Sequence, residues 1–179
     1  AMIVMTANSA DSAAGELAKT KGTDAEVKAY GQRMATDHGA VNQQAAALAA
    51  STGLQPADND DSNRMRSDAQ AHMTTLEGLS GAEFDKAYVD HEVTMHQQVL
   101  DALDQQLIPS ATQPDLRTLL TDIRAMADAH LTRARQLLAQ QLGPGQQHPS
   151  GCRTDHERGL VGGALVGERR VDQPPLVRA

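Results

Sequence analysis

Residues 79–111 read LSGAEFDKAYVDHEVTMHQQVLDALDQQLIPSA, and this run decides the fold. Ser80 followed three residues later by Glu83 has the form of a capping box, in which two side chains satisfy backbone N–H groups at a helix start. Leu79 and Phe84 flank the box as a hydrophobic staple. From there Phe84, Tyr88, His91, Met95 and Val99 recur in steps of three and four, the spacing of one helix face. No Gly or Pro intervenes between Phe84 and Pro109, so the spacing predicts a helix ending near Leu107.

The same punctuation repeats outward. Thr23 and Glu26 form a second box, predicting a helix from about Asp24 toward Ala50 that ends where Gly53 can turn left-handed. Its stripe is Val27, Gly31, Met34, His38, Val41, Ala45 and Leu48. Pro109 and Pro114 bracket a loop, and Pro114 suits the first turn of a further helix running to about Leu142, before Gly143-Pro144. That helix carries Leu116, Leu120, Ile123, Ala127, His130, Ala134 and Leu137 at seam spacing. A first helix, from about Met5 to Lys19, shows an Ala7, Ala14, Ala18 face. Residues 55–61 read as an acidic loop, and Met65, Ala69, Met73 and Leu76 as a short helix after it. The fold expected is all-α: an antiparallel four-helix bundle with a short extra helix between the second and third helices.

Composition agrees. Among 179 residues 40% are hydrophobic but only 2% aromatic, so the core must be built from Ala, Leu, Val and Met, which suits close-packed helices better than strands. No apolar run approaches the ~20 residues of a membrane helix, so no transmembrane segment is expected. The formal charge is -7, which argues against a nucleic-acid partner. A single cysteine, Cys152, excludes an intramolecular disulfide framework. Residues 143–179 are broken by Gly and Pro and nearly neutral, while residues 1–142 carry 11 basic against 19 acidic groups. The chain therefore divides into a helical body, 1–142, and a tail, 143–179, expected to be disordered or loosely attached.

His38, His91 and His130 each occupy a seam position on a different stripe. Counting from the loop between the last two helices places His91 and His130 roughly level. His96 lies about one turn nearer that loop on the flank of the same face, with Glu92 as its i−4 neighbour, and the first helix can add Asp11. Imidazole suits Zn, Cu and Fe, and bundle cores build metal sites from facing helices. The candidate set is His38, His91, His96, His130 and Asp11. Met34 with His38 and Met126 with His130 are i,i+4 pairs, and thioether beside imidazole suits copper, although Met at such spacing is commonly core filling. His72, in the connecting helix, is expected to be exposed. A buried histidine is also often no more than a hydrogen-bonded core residue. No Glu-x-x-His step precedes any of the body histidines, which disfavours a carboxylate-bridged di-iron centre. Walker A loops, H-E-x-x-H and Gly-x-Ser-x-Gly are absent too. His148, Cys152 and His156 are spaced i,i+4,i+8, but Pro149 and Gly151 oppose a helix there.

The "RM-x-x-DH" around His38 and the "AY-x-DHEV-x-x-H" around His91 and His96, with the surrounding residues 1–142, resemble the bacterial DUF4142 family. The resemblance implies a ferritin-like bundle and export from the cytoplasm, to the periplasm or otherwise, with a leader removed or left out before Ala1. It also implies that Asp11, His38, His96 and His130, one per helix, are a family feature. It supplies no reaction. Two functions follow: an exported bundle holding a transition metal through core histidines, or a metal-free module acting through its acidic surface or as a homo-oligomer, with the histidines in a buried hydrogen-bond network.

Overall fold

A computed structural model describes residues 2–53 and 57–141. Every regular element among them is a helix: α1 (Met2–Lys21), α2 (Ala25–Thr52), α3 (Asp60–Gly78), α4 (Gly81–Ala102) and α5 (Pro114–Gln141). The expected tail, its His148, Cys152 and His156, and the first residues of the acidic loop (55–56) lie outside the described residues.

Helix ends depart from the capping boxes in instructive ways. Asp24, not Thr23, caps α2: its Oδ1 accepts from the backbone N–H groups of Glu26 at 2.7 Å and Val27 at 3.2 Å. The Thr23 hydroxyl instead donates to Asp85 of α4. Asp85 also accepts from the backbone N–H groups of Thr23 and Asp24, so one buried carboxylate ties the α1–α2 turn to α4. Ser80 takes the N-cap place of α4 without a side-chain cap bond. A box needs helical geometry directly after the cap, and Gly81 lies at φ +62. Gly53 closes α2 left-handed at φ +69, as its position suggests. The residues expected as a short helix instead form α3, 19 residues long, opened by a capping box between Asn59 and Ser62.

The end of α4 also differs from the expectation. Helical backbone continues through a π-helical stretch, Leu103–Leu107, and a last turn, Ile108–Ser110, rather than stopping near Leu107. The Ile108 N–H bonds to Leu103 O, the i→i+5 pattern. Proline lacks an N–H and its ring clashes with the carbonyl four residues back. The wider π turn just ahead of Pro109 gives that ring room while keeping the chain helical.

Packing joins α1 to α2 and α4 to α5 most extensively, with α2 on α5 and α3 against α1. The α1–α2 approach is set by two glycines. A Cβ on Gly15 would stand 2.6 Å from Gly31 O, and one on Gly31 would stand 2.8 Å from Gly15 O, so only hydrogen fits at either position. Three apolar clusters lie along the helices; the smallest gathers Leu100, Ala127 and Leu131. Of the two larger ones, the first gathers Ala18, Val27, Tyr30, Phe84, Tyr88 and Leu137, and the second gathers Val41, Leu103, Ala111, Leu120 and Ile123. Between them, on α1, α2, α4 and α5 alike, sits a layer of buried polar side chains. No helix among the described residues is long and apolar enough to cross a membrane.

Candidate metal centre

Three imidazoles meet in the polar layer. His38 from α2, His96 from α4 and His130 from α5 are at most 4% exposed. Their ring centroids are 5.2 to 5.5 Å apart, and one nitrogen from each lies within 4.8 Å of the other two. These residues can therefore hold a single metal ion.

The hydrogen bonds around the trio fix which nitrogens face inward. His38 Nδ1–H donates to Asn8 Oδ1 at 2.6 Å. His96 Nδ1–H donates to the backbone carbonyl of Glu92 at 2.9 Å, and His130 Nε2–H to Asp37 Oδ2, also at 2.9 Å. The other nitrogens, His38 Nε2, His96 Nε2 and His130 Nδ1, are buried and have no hydrogen-bond partner. A neutral imidazole that donates from one nitrogen carries a lone pair on the other. Ligating histidines commonly donate their second N–H to a carboxylate or carbonyl, which fixes tautomer and ring orientation. All three rings here share that arrangement.

Electrostatics keeps the rings unprotonated. Burial, with the neighbouring imidazoles, lowers His38 to about 3 and His96 to about 4. Burial also lowers His130, against the opposing pull of Asp37. Burial would raise Asp37, but hydrogen bonds from His130 and Arg33 outweigh it and hold the carboxyl below its usual range. Asp37 is thus a lasting acceptor for the His130 N–H.

Two carboxyls complete the layer. Asp11 Oδ2 lies 3.7 Å from the unpaired Nε2 of His38. Glu92 is fully buried, one of its oxygens 3.3 Å from His96 Nδ1, and neither oxygen has a hydrogen-bond partner. Burial raises Asp11 to about 7, and burial with the nearby Asp11 raises Glu92 well above its ordinary value. An ionised carboxylate in such a place is costly unless a cation compensates it. Without a cation Glu92 holds its proton and Asp11 holds its own below about pH 7; with one, both can supply negative charge.

Of the five residues singled out in the sequence, Asp11, His38, His96 and His130 come together. His91 stands apart, because the buried line of α4 runs Phe84, Tyr88, Glu92, His96, Leu100, in steps of four. His91 is half-buried and stacks on His72 of α3, with ring centroids 3.4 Å apart and planes 15° from parallel. His72 is likewise half-buried rather than exposed. Met34 belongs to the first apolar cluster and Met126 packs on the second, so neither thioether is part of the polar layer. Sequence reasoning passed over Asn8 and Asp37 as ring-orienting residues. The signal for Asp37 was its place next to His38; Asn8, three residues before Asp11, gave none that apolar periodicity could register.

The family model for a domain of unknown function, DUF4142, matches residues 1–137. Neither the curated proteins nor the solved structures contain a match to the chain.

Proposed function

The chain belongs to the DUF4142 family, and on that premise we propose that its helical body is a metal-binding protein in which His38, His96 and His130 ligate one transition-metal ion with Asp11 beside them. The observation that carries this reading is the convergence of three buried lone-pair nitrogens whose partner nitrogens are already held. Neutral imidazole and carboxylate together fit a divalent ion such as zinc or iron better than a soft monovalent one. Two buried carboxyls at the same layer can offset the ion's charge, and the ion in turn removes the cost of ionising them. Bound there, the metal would join four helices at one point; as a Lewis acid it could also activate a coordinated group.

Supporting the finer fold reading, α1, α2, α4 and α5 each contribute a side chain to this layer, so we take them as a ferritin-like four-helix bundle with α3 in the α2–α4 connection. Export to the periplasm, which the family resemblance implies, belongs to the same proposal. A metal-free network of the same histidines is the weaker reading, since it would leave three buried acceptors unsatisfied.

Elemental analysis of the purified full chain tests the reading. The unaltered protein should retain close to one equivalent of zinc or iron, and His38→Ala and His130→Ala should lose it while keeping their helical circular-dichroism spectrum. Full metal occupancy in both variants would show that the ligands lie elsewhere.

A further inference from the structure

We propose that the cavity bounded by α1, α3 and α4 is the entry route of the divalent metal ion, with Asp68 meeting the hydrated cation at the rim and Asp11 passing it to His38, His96 and His130. The proposal rests on the reading of those three histidines as a metal site, the inner centre, and adds how an ion reaches it. The three residues are at most 4% exposed, and a buried site needs a way in as much as it needs ligands.

The cavity measures about 380 Å³, room for an ion that keeps several waters at about 30 Å³ each. Its lining grades from surface to interior: Asp68 and Gln98 are exposed, Ala69 and Met95 half-buried, Asp11 and Ala14 buried. Asp11 is where the cavity meets the inner centre. It lines the cavity, and its Oδ2 stands 3.7 Å from His38 Nε2, one of the three nitrogens with an unused lone pair. A carboxylate at that junction can hold a cation while it exchanges water for imidazole, which offsets the cost of leaving water. A smaller cavity of about 100 Å³ also approaches the layer, but it touches Asn8, which holds the opposite nitrogen of His38. Its walls are mostly apolar, Val4, Ala7, Val99 and Leu103 among them, so an ion there would lose water with nothing to replace it.

The charges along the larger cavity admit a cation. His72 and His91 stack within its wall. Burial keeps His72 below its usual range and lowers His91 to about 4, so neither ring opposes a cation at neutral pH. Arg64 also contributes to the lining, one turn before Asp68 on α3, against the two carboxyls of Asp68 and Asp11. Helical spacing explains the grouping, since Met65, Asp68, Ala69 and His72 recur in steps of three and four and fall on one face of α3.

The test is stopped-flow zinc uptake, and zinc release to a chromogenic chelator, on the full chain carrying Cys152→Ser, which removes the tail thiol as a competing ligand. Ala69→Leu narrows the cavity from α3 without altering a ligand. It should slow uptake and release by one common factor and leave the dissociation constant unchanged. Asp68→Asn should slow uptake at low salt, and the difference should fade above about 0.1 M salt, where charges more than ~10 Å apart are screened. Ala45→Leu fills a separate cavity of about 310 Å³, lined also by Leu48 and Leu116, and should leave both rates parental. Zinc bound at the parental rate in either Ala69→Leu or Asp68→Asn would overturn the route alone. Equal slowing in Ala45→Leu would overturn it too, by showing that the ion enters through general opening of the bundle. A parent chain that binds no zinc would overturn the inner centre and the route with it.

Discussion

His38 donates its Nδ1–H to Asn8 Oδ1 over 2.6 Å, and the Asn8 amide is itself oriented by its Nδ2 donating to Val4 O at 2.8 Å. The amide oxygen therefore faces the ring, and the lone pair of His38 is held on Nε2. Asn8→Ala removes this restraint without touching a proposed ligand. Loss of such an outer hydrogen bond commonly weakens metal binding about 10- to 100-fold. Zinc competition titrations should show that loss with the helical content unchanged. Parent-like affinity in Asn8→Ala would mean that ring orientation is set elsewhere.

Gly31 and Gly39 lie two turns apart in α2 and should respond in opposite directions to the same substitution. A Cβ at Gly31 would meet Ala18 Cβ at 2.8 Å and the backbone of α1, whereas one at Gly39 has only Ser12 Oγ, 4.0 Å away. Gly31→Ala should therefore force α1 and α2 apart and cost about 1–3 kcal/mol, the usual range for overpacking. Gly39→Ala should gain about 0.4–1 kcal/mol from reduced freedom of the unfolded chain and better helix propensity. Urea midpoints with unchanged slopes would check both; equal effects at the two sites would contradict the close crossing.

The contrast between these glycines also marks how far the sequence could be read. Caps, prolines and apolar spacing were enough to place α1, α2, α4 and α5, and the α5 stripe from Leu120 to Leu137 is buried at the predicted positions. On α4 the reading slipped. Apolar periodicity prefers Met95 to the polar His96 and Glu92, but a layer of polar groups was the reason those positions are inside. The helix also continues through the π turn to Ser110, which moves the register so that His96, not His91, meets His130. Gly31 was legible as a seam residue, but its meeting with Gly15 depends on how two helices cross, which spacing along one chain does not encode. Asp85 was invisible for the same reason: its partners belong to a turn 61 and 62 residues away.

Asp85 gives a stability prediction free of the metal question. Its carboxyl is buried and accepts from the Thr23 N–H at 3.0 Å and the Asp24 N–H at 2.8 Å, besides the Thr23 hydroxyl. Asp85→Ala leaves those donors at the α2 start without their acceptor. Donors left unpaired away from water cost about 1–3 kcal/mol, and these bonds are part-buried, so the variant should melt below the parent. Asp24→Ala, which removes only the exposed cap of α2, should cost about 1 kcal/mol. A smaller loss in Asp85→Ala than in Asp24→Ala would show that water replaces Asp85 freely.

The inner centre should release protons on binding zinc, and their source can be predicted. His38 and His96 stay neutral in the folded protein down to about 3 and about 4, so at pH 6 they have no protons to give up. Asp11, raised to about 7, and Glu92, raised well above its ordinary value, are still protonated there and must ionise to face a cation. In the metal-free protein, below an ordinary histidine value near 6.5 the unfolded chain takes up protons that the folded imidazoles refuse, so those rings cost stability as pH falls toward 4. The carboxyls act oppositely: their contribution is fully present below about 4 and is lost as pH rises through about 7. Zinc binding at pH 6, followed calorimetrically in buffers of different ionisation enthalpy, should therefore expel carboxyl protons. The release should shrink as pH rises past 7 and should be reduced in Asp11→Asn. Zinc at 100 times its dissociation constant should add about 2.7 kcal/mol to stability. If proton release instead grows as pH falls through 6.5 and is unaltered by Asp11→Asn, the protons come from the imidazoles, and the buried rings are not the neutral ligands that their hydrogen bonds describe.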